Sequence, residues 1–323
     1  MRLEVEHTLA FTYDGYISES FLELRVQPKT TPAQTVLSFG LAVGPRARVY
    51  RYVDWNDNVT HHFTITKFHD RIEVTATSLV ETRPAPVVLA ELGPAARPDE
   101  LPYPLLDFLA FDGPVRLTPA LRAAHGALGL PRGAPLGELV AAMSGAMRER
   151  YEYQKDVTRY DSTTEDFLTL GRGVCQDFAH LMLGWLRLSN IPCRYVSGYL
   201  HVDRKKREPS QSHAWVEFHT PSAGWVAFDP THGRPVDERY VIVGHGRHYD
   251  DVPPNKGIYR GTANETLTAE IYTRPVAGTA IPRATDDVRA IDLKTFTAAP
   301  ARRATPSAAE EQAEQQQQQQ QQQ

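Results

Sequence analysis

A cysteine that opens a helical pattern is the first place in this sequence where chemistry is possible. Residues 173–180 read GVCQDFAH and follow a loop punctuated by Gly171 and Gly173. Only two cysteines occur in 323 residues, Cys175 here and Cys193 further on. With Cys175 in the first turn, Phe178, Ala179, Met182, Trp185 and Leu186 recur at the spacing of one apolar helix face. The thiol then heads a buried stripe, beside the free N–H groups and positive dipole end of a helix start. Both favour the thiolate, the nucleophilic form. The glycines let backbone approach closely, and nearby N–H groups could hold an oxyanion. The plainer alternative is a packed thiol, the common fate of free cysteine. Cys193, in IPCRYVSGY, opens an apolar strand with no histidine context and is expected to be structural.

A nucleophilic thiol needs a base, and the base needs an orienting group. Residues 212–233, SHAWVEFHTPSAGWVAFDPTHG, look like two strands, His213–Phe218 and Trp225–Asp229, around a loop with Pro221 and Gly224. If Phe218 faces Gly224, antiparallel register sets His213 directly across from Asp229 on one face. Opposed Cβ atoms lie about 4.5–5.5 Å apart, so the carboxylate can bond one imidazole nitrogen and aim the other at a thiol. A loop of even length would separate them onto opposite faces. Taken singly, a strand histidine often just packs, and Asp before Pro is a common turn opener. The case rests on the conjunction of Cys, His and Asp in this order.

Composition sets the frame. Hydrophobic residues make up 41% and charged residues 23%, enough apolar material for one large domain or two ordinary ones. A formal net charge of −4 exerts no long-range pull on nucleic acid or anionic membrane. Two isolated cysteines cannot build a disulfide framework or a cysteine-based zinc site. No run approaches the roughly 18 apolar residues of a spanning helix, and the first residues alternate rather than forming a signal-like apolar block. A cytoplasmic protein without membrane or nucleic-acid partners is expected.

Residues 1–80 carry short strand-like runs at Leu3–Tyr13, Ser20–Val26, Thr35–Val43, Arg48–Val53, Val59–Lys67 and Arg71–Ser78, which suggests a β-sandwich. A proline-rich stretch over 81–104 reads as a linker. Helical patterns follow at Pro119–Leu128, Leu136–Tyr153, Thr164–Leu170 and Cys175–Leu188. Strand character returns at Cys193–Leu200, His213–Phe218, Trp225–Asp229, Tyr240–Val243 and Glu265–Thr273. Helices first and strands second argue for an α+β unit over 105–275. The charged loop 201–211 reads as a solvated turn. Residues 276–323, ending in a run from Gln315 to Gln323, are expected to form a disordered tail.

The segments GRGVCQDFAHLMLGWLRLSNIPCRYVSGYL, SHAWVEF and GWVAFDPTHG closely resemble the core of bacterial transglutaminase-like proteins, of the papain-like cysteine-nucleophile superfamily. The strand-rich first 80 residues resemble the N-terminal β-domain common in that family, and GRHYDDVPPNKGIYRG (246–261) also fits its pattern. The resemblance implies a papain-like core, with a Cys-bearing helix bundle on an antiparallel sheet carrying His and Asp. It implies Cys175 as nucleophile, His213 as general base and then acid, and Asp229 as orienting carboxylate. It further implies amide acyl transfer through a thioester. The partners would be a protein or peptide substrate, offering a glutamine side chain or a peptide or isopeptide amide, and, where the outcome is transamidation, an amine acceptor.

Two departures stand out. Family members often carry Asn after DPT, where this chain has His232, and often Ala where it has Cys193. No cofactor is implied, and no acidic cluster has calcium-site spacing. Asp177 suits the helix dipole and reads as a cap or a bridge to the loop, and His180 as a backbone partner. Tyr199 and Trp215 line the cleft or are core aromatics. Asp250 and Asp251 are candidates to hold the 246–256 loop, and Tyr160 is a weak candidate oxyanion donor. Two alternatives to an enzyme stay open: a non-catalytic binding module on the same fold, and an assembly protein working through its β-domain.

Overall fold

Period-two alternation builds the first strand, β1 (Arg2–Ile17): Leu3, Val5, His7, Leu9, Phe11 and Tyr13 turn inward and are buried. The computed structural model describes residues 1–83, 87–131, 133–203, 209–210, 212–277 and 286–298. After β1 come β2 (Glu19–Leu24), β3 (Gln34–Gly44), β4 (Val49–Val53), β5 (Val59–Ile65) and β6 (His69–Thr82). Next are α1 (Tyr103–Leu106), α2 (Pro119–Gly126), α3 (Leu136–Arg150), β7 (Glu152–Tyr153), α4 (Thr164–Leu170), β8 (Arg172–Gly173) and α5 (Cys175–Leu188). The chain continues through β9 (Cys193–Leu200), β10 (His213–Thr220), β11 (Gly224–Asp229), β12 (Arg234–Pro235) and β13 (Tyr240–Gly246). It returns through β14 (Asn255–Arg260), β15 (Glu265–Pro275) and β16 (Asp286–Ala290).

The architecture is α+β. One sheet, in the order β15-β1-β6-β3-β16, faces a second, β14-β2-β5-β4, across a core of Leu9, Phe11, Leu22, Leu24, Phe63 and Ile72, forming a β-sandwich. The third sheet, β12-β11-β10-β9-β13, packs on α5. That helix is apolar nearly all round and buried from Asp177 to Arg187, as a central helix must be. Each large apolar side chain it buries contributes roughly 1.5–3 kcal/mol, so the position of its first residue is firmly held. Leu3, Val5, Tyr199, Val241 and Ile271 form a separate cluster that joins the sandwich to the core sheet. β1 therefore serves both units, its first half against the core sheet and its second half inside the sandwich.

The fold departs from the sequence-based boundaries at the C-terminal end. The strands at 255–275, assigned to the core unit, pair with β2 and β1 and complete the sandwich. Within the expected tail, β16 runs parallel to β3, and Phe296 forms a two-way backbone bridge with Phe68. A sheet edge recruits a strand through backbone hydrogen bonds, which need no apolar run in the recruited segment. Residues 299–323, with the glutamine run, lie outside the described residues, as do 204–208 and 211 of the charged loop. The third helix ends at Arg150 rather than Tyr153, because Glu152 and Tyr153 pair with Arg172 and Gly173.

Candidate active site

Cys175 is the first residue of α5, and the turn before it explains how it is presented. Gly171 caps α4 in the left-handed region at φ 70°. At Gly173, a Cβ would come within 2.4 Å of an Asp177 carboxylate oxygen and 2.9 Å of the Phe167 ring, so only glycine fits. Asp177 Oδ2 accepts hydrogen bonds from the Val174 N–H at 2.8 Å and the Thr158 hydroxyl at 2.7 Å. It thus caps the helix and ties it to the upstream loop, as expected, while its burial pushes its carboxyl pKa up. The N–H groups of Cys175 and Gln176, in the first turn, lack intrahelical acceptors by position.

His213 opens β10 and Asp229 ends β11. The hairpin register differs from the expected one: Thr220 pairs with Gly224 and Val216 with Phe228, so the loop is residues 221–223. Gly224 adopts φ 67°, and Thr220 Oγ1 accepts the Ala223 N–H at 2.9 Å, which tightens the turn. The slip is by two positions, so face parity survives. Asp229 becomes a diagonal neighbour of His213, within reach of an imidazole. His213 Nε2 donates to Asp229 Oδ2 at 2.7 Å.

With Nε2 committed to the carboxylate, Nδ1 is the nitrogen left for the thiol. Burial pulls the His213 pKa down, but hydrogen bonds to Asp229 and Cys175 outweigh it and raise the value to about 10. Asp229 is wholly buried. Burial alone would raise its carboxyl pKa. The bonds from His213 and His232, the charge on His213 and the bond from Tyr240 instead hold it well below the usual carboxylate range. The three residues singled out in the sequence thus meet as thiol, imidazole and carboxylate.

A family described as the transglutaminase-like superfamily matches residues 130–230, and one described as the bacterial transglutaminase-like N-terminal region matches residues 3–81. An uncharacterised protein of Mycobacterium leprae (strain TN) is 36% identical over 283 residues, spanning 84% of this chain and 98% of that one. The chain belongs to the transglutaminase-like superfamily. The crystal structure of a candidate cysteine protease from Cytophaga hutchinsonii shares the fold. Its TM-score is 0.73 at 21% identity, covering 86% of this chain and 92% of that one. A protein-glutamine gamma-glutamyltransferase of Pseudomonas aeruginosa is 26% identical over 162 residues, 46% of this chain and 24% of that protein.

The transglutaminase-like core holds its carboxylate with more donors than the sequence suggested. His232 Nδ1 donates to Asp229 Oδ2 at 2.6 Å, and the Tyr240 hydroxyl donates to the same oxygen at 2.7 Å. The Thr231 N–H reaches Asp229 Oδ1 at 2.9 Å, and the His232 N–H reaches it at 3.3 Å. An ionised carboxylate only accepts, so both imidazole nitrogens facing it carry protons. His232, marked in the sequence only as a departure from the family pattern, therefore bonds the carboxylate directly. Tyr240 gave no signal beyond its place in an apolar strand. The ligand atoms of His213, Asp229 and His232 lie within 4.8 Å of one another, and with both facing nitrogens protonated the group is held together by hydrogen bonds.

A cleft of about 770 Å³ opens over Cys175 and His213. Tyr153, Lys155, Tyr195 and Tyr249 line it from the core, and His7, Leu9 and Leu267 line it from the sandwich. Burial and the nearby Cys175 raise the Tyr153 pKa, so its hydroxyl stays protonated as a candidate donor that sequence patterns did not flag. Tyr160 does not line this cleft. It is 66% exposed, and its carbonyl accepts from Gln176 Nε2 at 2.8 Å. Tyr199 is buried between the units, where its hydroxyl meets His7 Nδ1 at 2.9 Å and the Val26 carbonyl at 3.2 Å.

Trp215 is a core aromatic, edge-on to Tyr240. His180 Nε2 accepts the Tyr249 N–H at 3.2 Å, and burial lowers its pKa to about 3, so it is neutral and structural. Asp251 braces the 246–256 loop through the Arg247 N–H at 2.8 Å and side chain at 3.0 Å; Asp250 is more exposed. Cys193 is buried against the Leu183 carbonyl, and burial pushes its thiol pKa to about 11.

Proposed function

We propose that this protein catalyses cysteine-dependent acyl transfer from an amide through a thioester. One observation carries the proposal. At the head of a buried helix in an open cleft, the Cys175 thiol faces an imidazole whose other nitrogen is bound to a buried carboxylate at 2.7 Å. With its proton passed to His213, the Cys175 sulfur attacks the amide carbonyl carbon, and the carbonyl electron pair moves to the oxygen. Backbone N–H groups at the α5 start are the donors assigned to that oxyanion. On collapse the C–N bond breaks, His213 gives its proton to the leaving nitrogen, and a thioester to Cys175 remains. Water or an amine then attacks the thioester while His213 takes its proton, and the C–S bond breaks to release the Cys175 thiolate beside the protonated His213.

Water yields hydrolysis of a peptide, isopeptide or carboxamide bond; an amine yields a new amide. The substrate class is a protein or peptide, offering either a backbone amide or a glutamine side chain. The partial similarity to a protein-glutamine gamma-glutamyltransferase supports the latter. The alternative is a binding module on the same fold that no longer turns over.

The test is to trap the thioester. Wild-type protein is mixed with a glutamine-containing peptide, quenched in acid and digested, and the Cys175 peptide is weighed. The proposal expects a mass increase equal to the acyl group on Cys175 and none on Cys193. An unmodified Cys175 across a panel of glutamine and peptide amides would favour the binding module.

A further inference from the structure

β15 forms one wall of the Cys175 cleft, and among the described residues its outward backbone is bridged there at Ile271 alone. Leu267, Ala269 and Ile271 line the cleft together with Cys175 and His213. β15 is also the edge strand of its sheet, bonded on its inner side to β1. The two ends of that ladder show which residues face β1. The Asp14 N–H donates to the Asn264 carbonyl at 3.2 Å, and the Val276 N–H donates to the Arg2 carbonyl at 3.0 Å.

In an antiparallel ladder the bonded residues alternate, so the even-numbered residues of β15 face β1. Ile271 confirms the phase from the other side. Its carbonyl accepts the Ser210 N–H at 2.8 Å, and its own N–H donates to the Ser210 carbonyl at 3.2 Å. Two and four residues on, Ala269 and Leu267 must point their N–H and C=O groups the same way. Among the described residues, Ser210 is the one paired along this edge outside β1, and Glu265–Glu270 are exposed.

We propose that the acyl-donor substrate is an extended, unfolded polypeptide segment that adds to β15 as an antiparallel strand. Ala269 and Leu267 exchange paired backbone hydrogen bonds with alternate substrate residues, continuing the ladder that Ser210 begins. The added strand lies along the wall of the cleft and brings the reacting amide to Cys175. Backbone recognition of this kind selects for chain extension rather than for one side chain, while the apolar lining favours alternating apolar residues. A folded protein surface cannot supply such a strand; a loop, a terminus or an unfolded chain can. The identity of the bound segment as acyl donor rests on the proposed thioester chemistry. The strand addition itself does not.

Binding to the Cys175→Ala protein separates the two. The probe is a fluorescein-labelled peptide of alternating Val and Thr around a central Gln, with a Lys at each end, followed by fluorescence anisotropy. Single N-methylation is walked along its backbone. Loss of one hydrogen bond is expected to weaken binding about tenfold at every second position and to change little at the positions between. Ala269→Pro, made in the same background, removes one outward N–H and leaves the β1 ladder intact, since proline is tolerated on an edge with its nitrogen outward. It is expected to weaken binding by a similar factor at unchanged melting temperature; Leu267→Pro serves if that variant folds poorly.

No binding, uniform tolerance of N-methylation, or parental affinity in a folded proline variant would overturn the proposal. A period-two pattern in a protein whose wild-type Cys175 is inert would keep the strand addition and sink the catalysis. A reactive Cys175 without peptide binding would do the reverse.

Discussion

On the proposed thioester chemistry, Cys175→Ala is expected to abolish turnover and leave the fold intact. Removing the nucleophile of a covalent mechanism takes away the bond-forming atom itself, so the expected loss in kcat is at least about 10⁴-fold. The structural cost is small. The thiol is only partly buried, and the placement of α5 does not depend on it: Asp177 caps α5 through the Val174 N–H, and the helix is anchored by Phe178, Met182 and Trp185. Deleting one sulfur from such a site costs on the order of 1 kcal/mol, a shift of a few degrees in melting temperature. Paired measurements of kcat and thermal unfolding check both halves. Turnover within tenfold of wild type in a folded variant would remove Cys175 from the chemistry.

Asp229→Ala affects activity and stability together. The carboxylate receives His213 Nε2, His232 Nδ1, the Tyr240 hydroxyl and the N–H groups of Thr231 and His232. Alanine leaves these donors facing each other in a buried space and lets the His213 ring turn. A loss of about 10³–10⁴-fold in kcat is expected, from loss of the correct tautomer and orientation. Breaking a buried charged network by removing one partner costs roughly 3–5 kcal/mol.

The pH dependence of that stability has a definite sign. Asp229 titrates below its usual range in the fold, so its contribution is present above the unfolded carboxylate pKa and is lost as pH falls through the folded value. His213 is raised from 6.5 to about 10. Its contribution is full below about 6.5 and is lost as pH rises through the folded value. The stability gap between wild type and Asp229→Ala is therefore widest in mildly acidic solution and narrows toward pH 10. Urea unfolding at a series of pH values measures it; a gap that widens steadily with pH would contradict the assigned network.

The helices and most strands were legible because each buries one face and shows its period. The α4 and α5 boundaries match the caps, Thr163 for the first and Val174 with Asp177 for the second. The meeting of His213 and Asp229 was legible through parity alone. The true register is two positions off, since the compactness of a turn capped by Thr220 is not written in alternation. Strand partners far apart in sequence were not legible. The pairings of β15 with β1 and of β16 with β3 depend on where the chain ends arrive, and the exposed Glu265–Glu270 carry no core signature. His232 and Tyr240 were missed because a polar side chain's partner is set by tertiary placement. One lies in a turn, the other on a separate strand, and only the fold brings both to Asp229.

The most direct test of the central claim is the alkylation rate of Cys175 by iodoacetamide across pH, in wild type and in His213→Ala, with each cysteine peptide read by mass spectrometry. His213 keeps its proton up to about 10, so a cation faces the thiol through the neutral and acidic range. Labelling of Cys175 is expected to be fast in wild type through that range and markedly slower in His213→Ala, which lacks the facing cation. Cys193, buried with its pKa pushed up to about 11, is the internal control and labels slowly throughout. A Cys175 that labels at the same rate in both proteins, or that does not label in a folded wild type, would contradict the account.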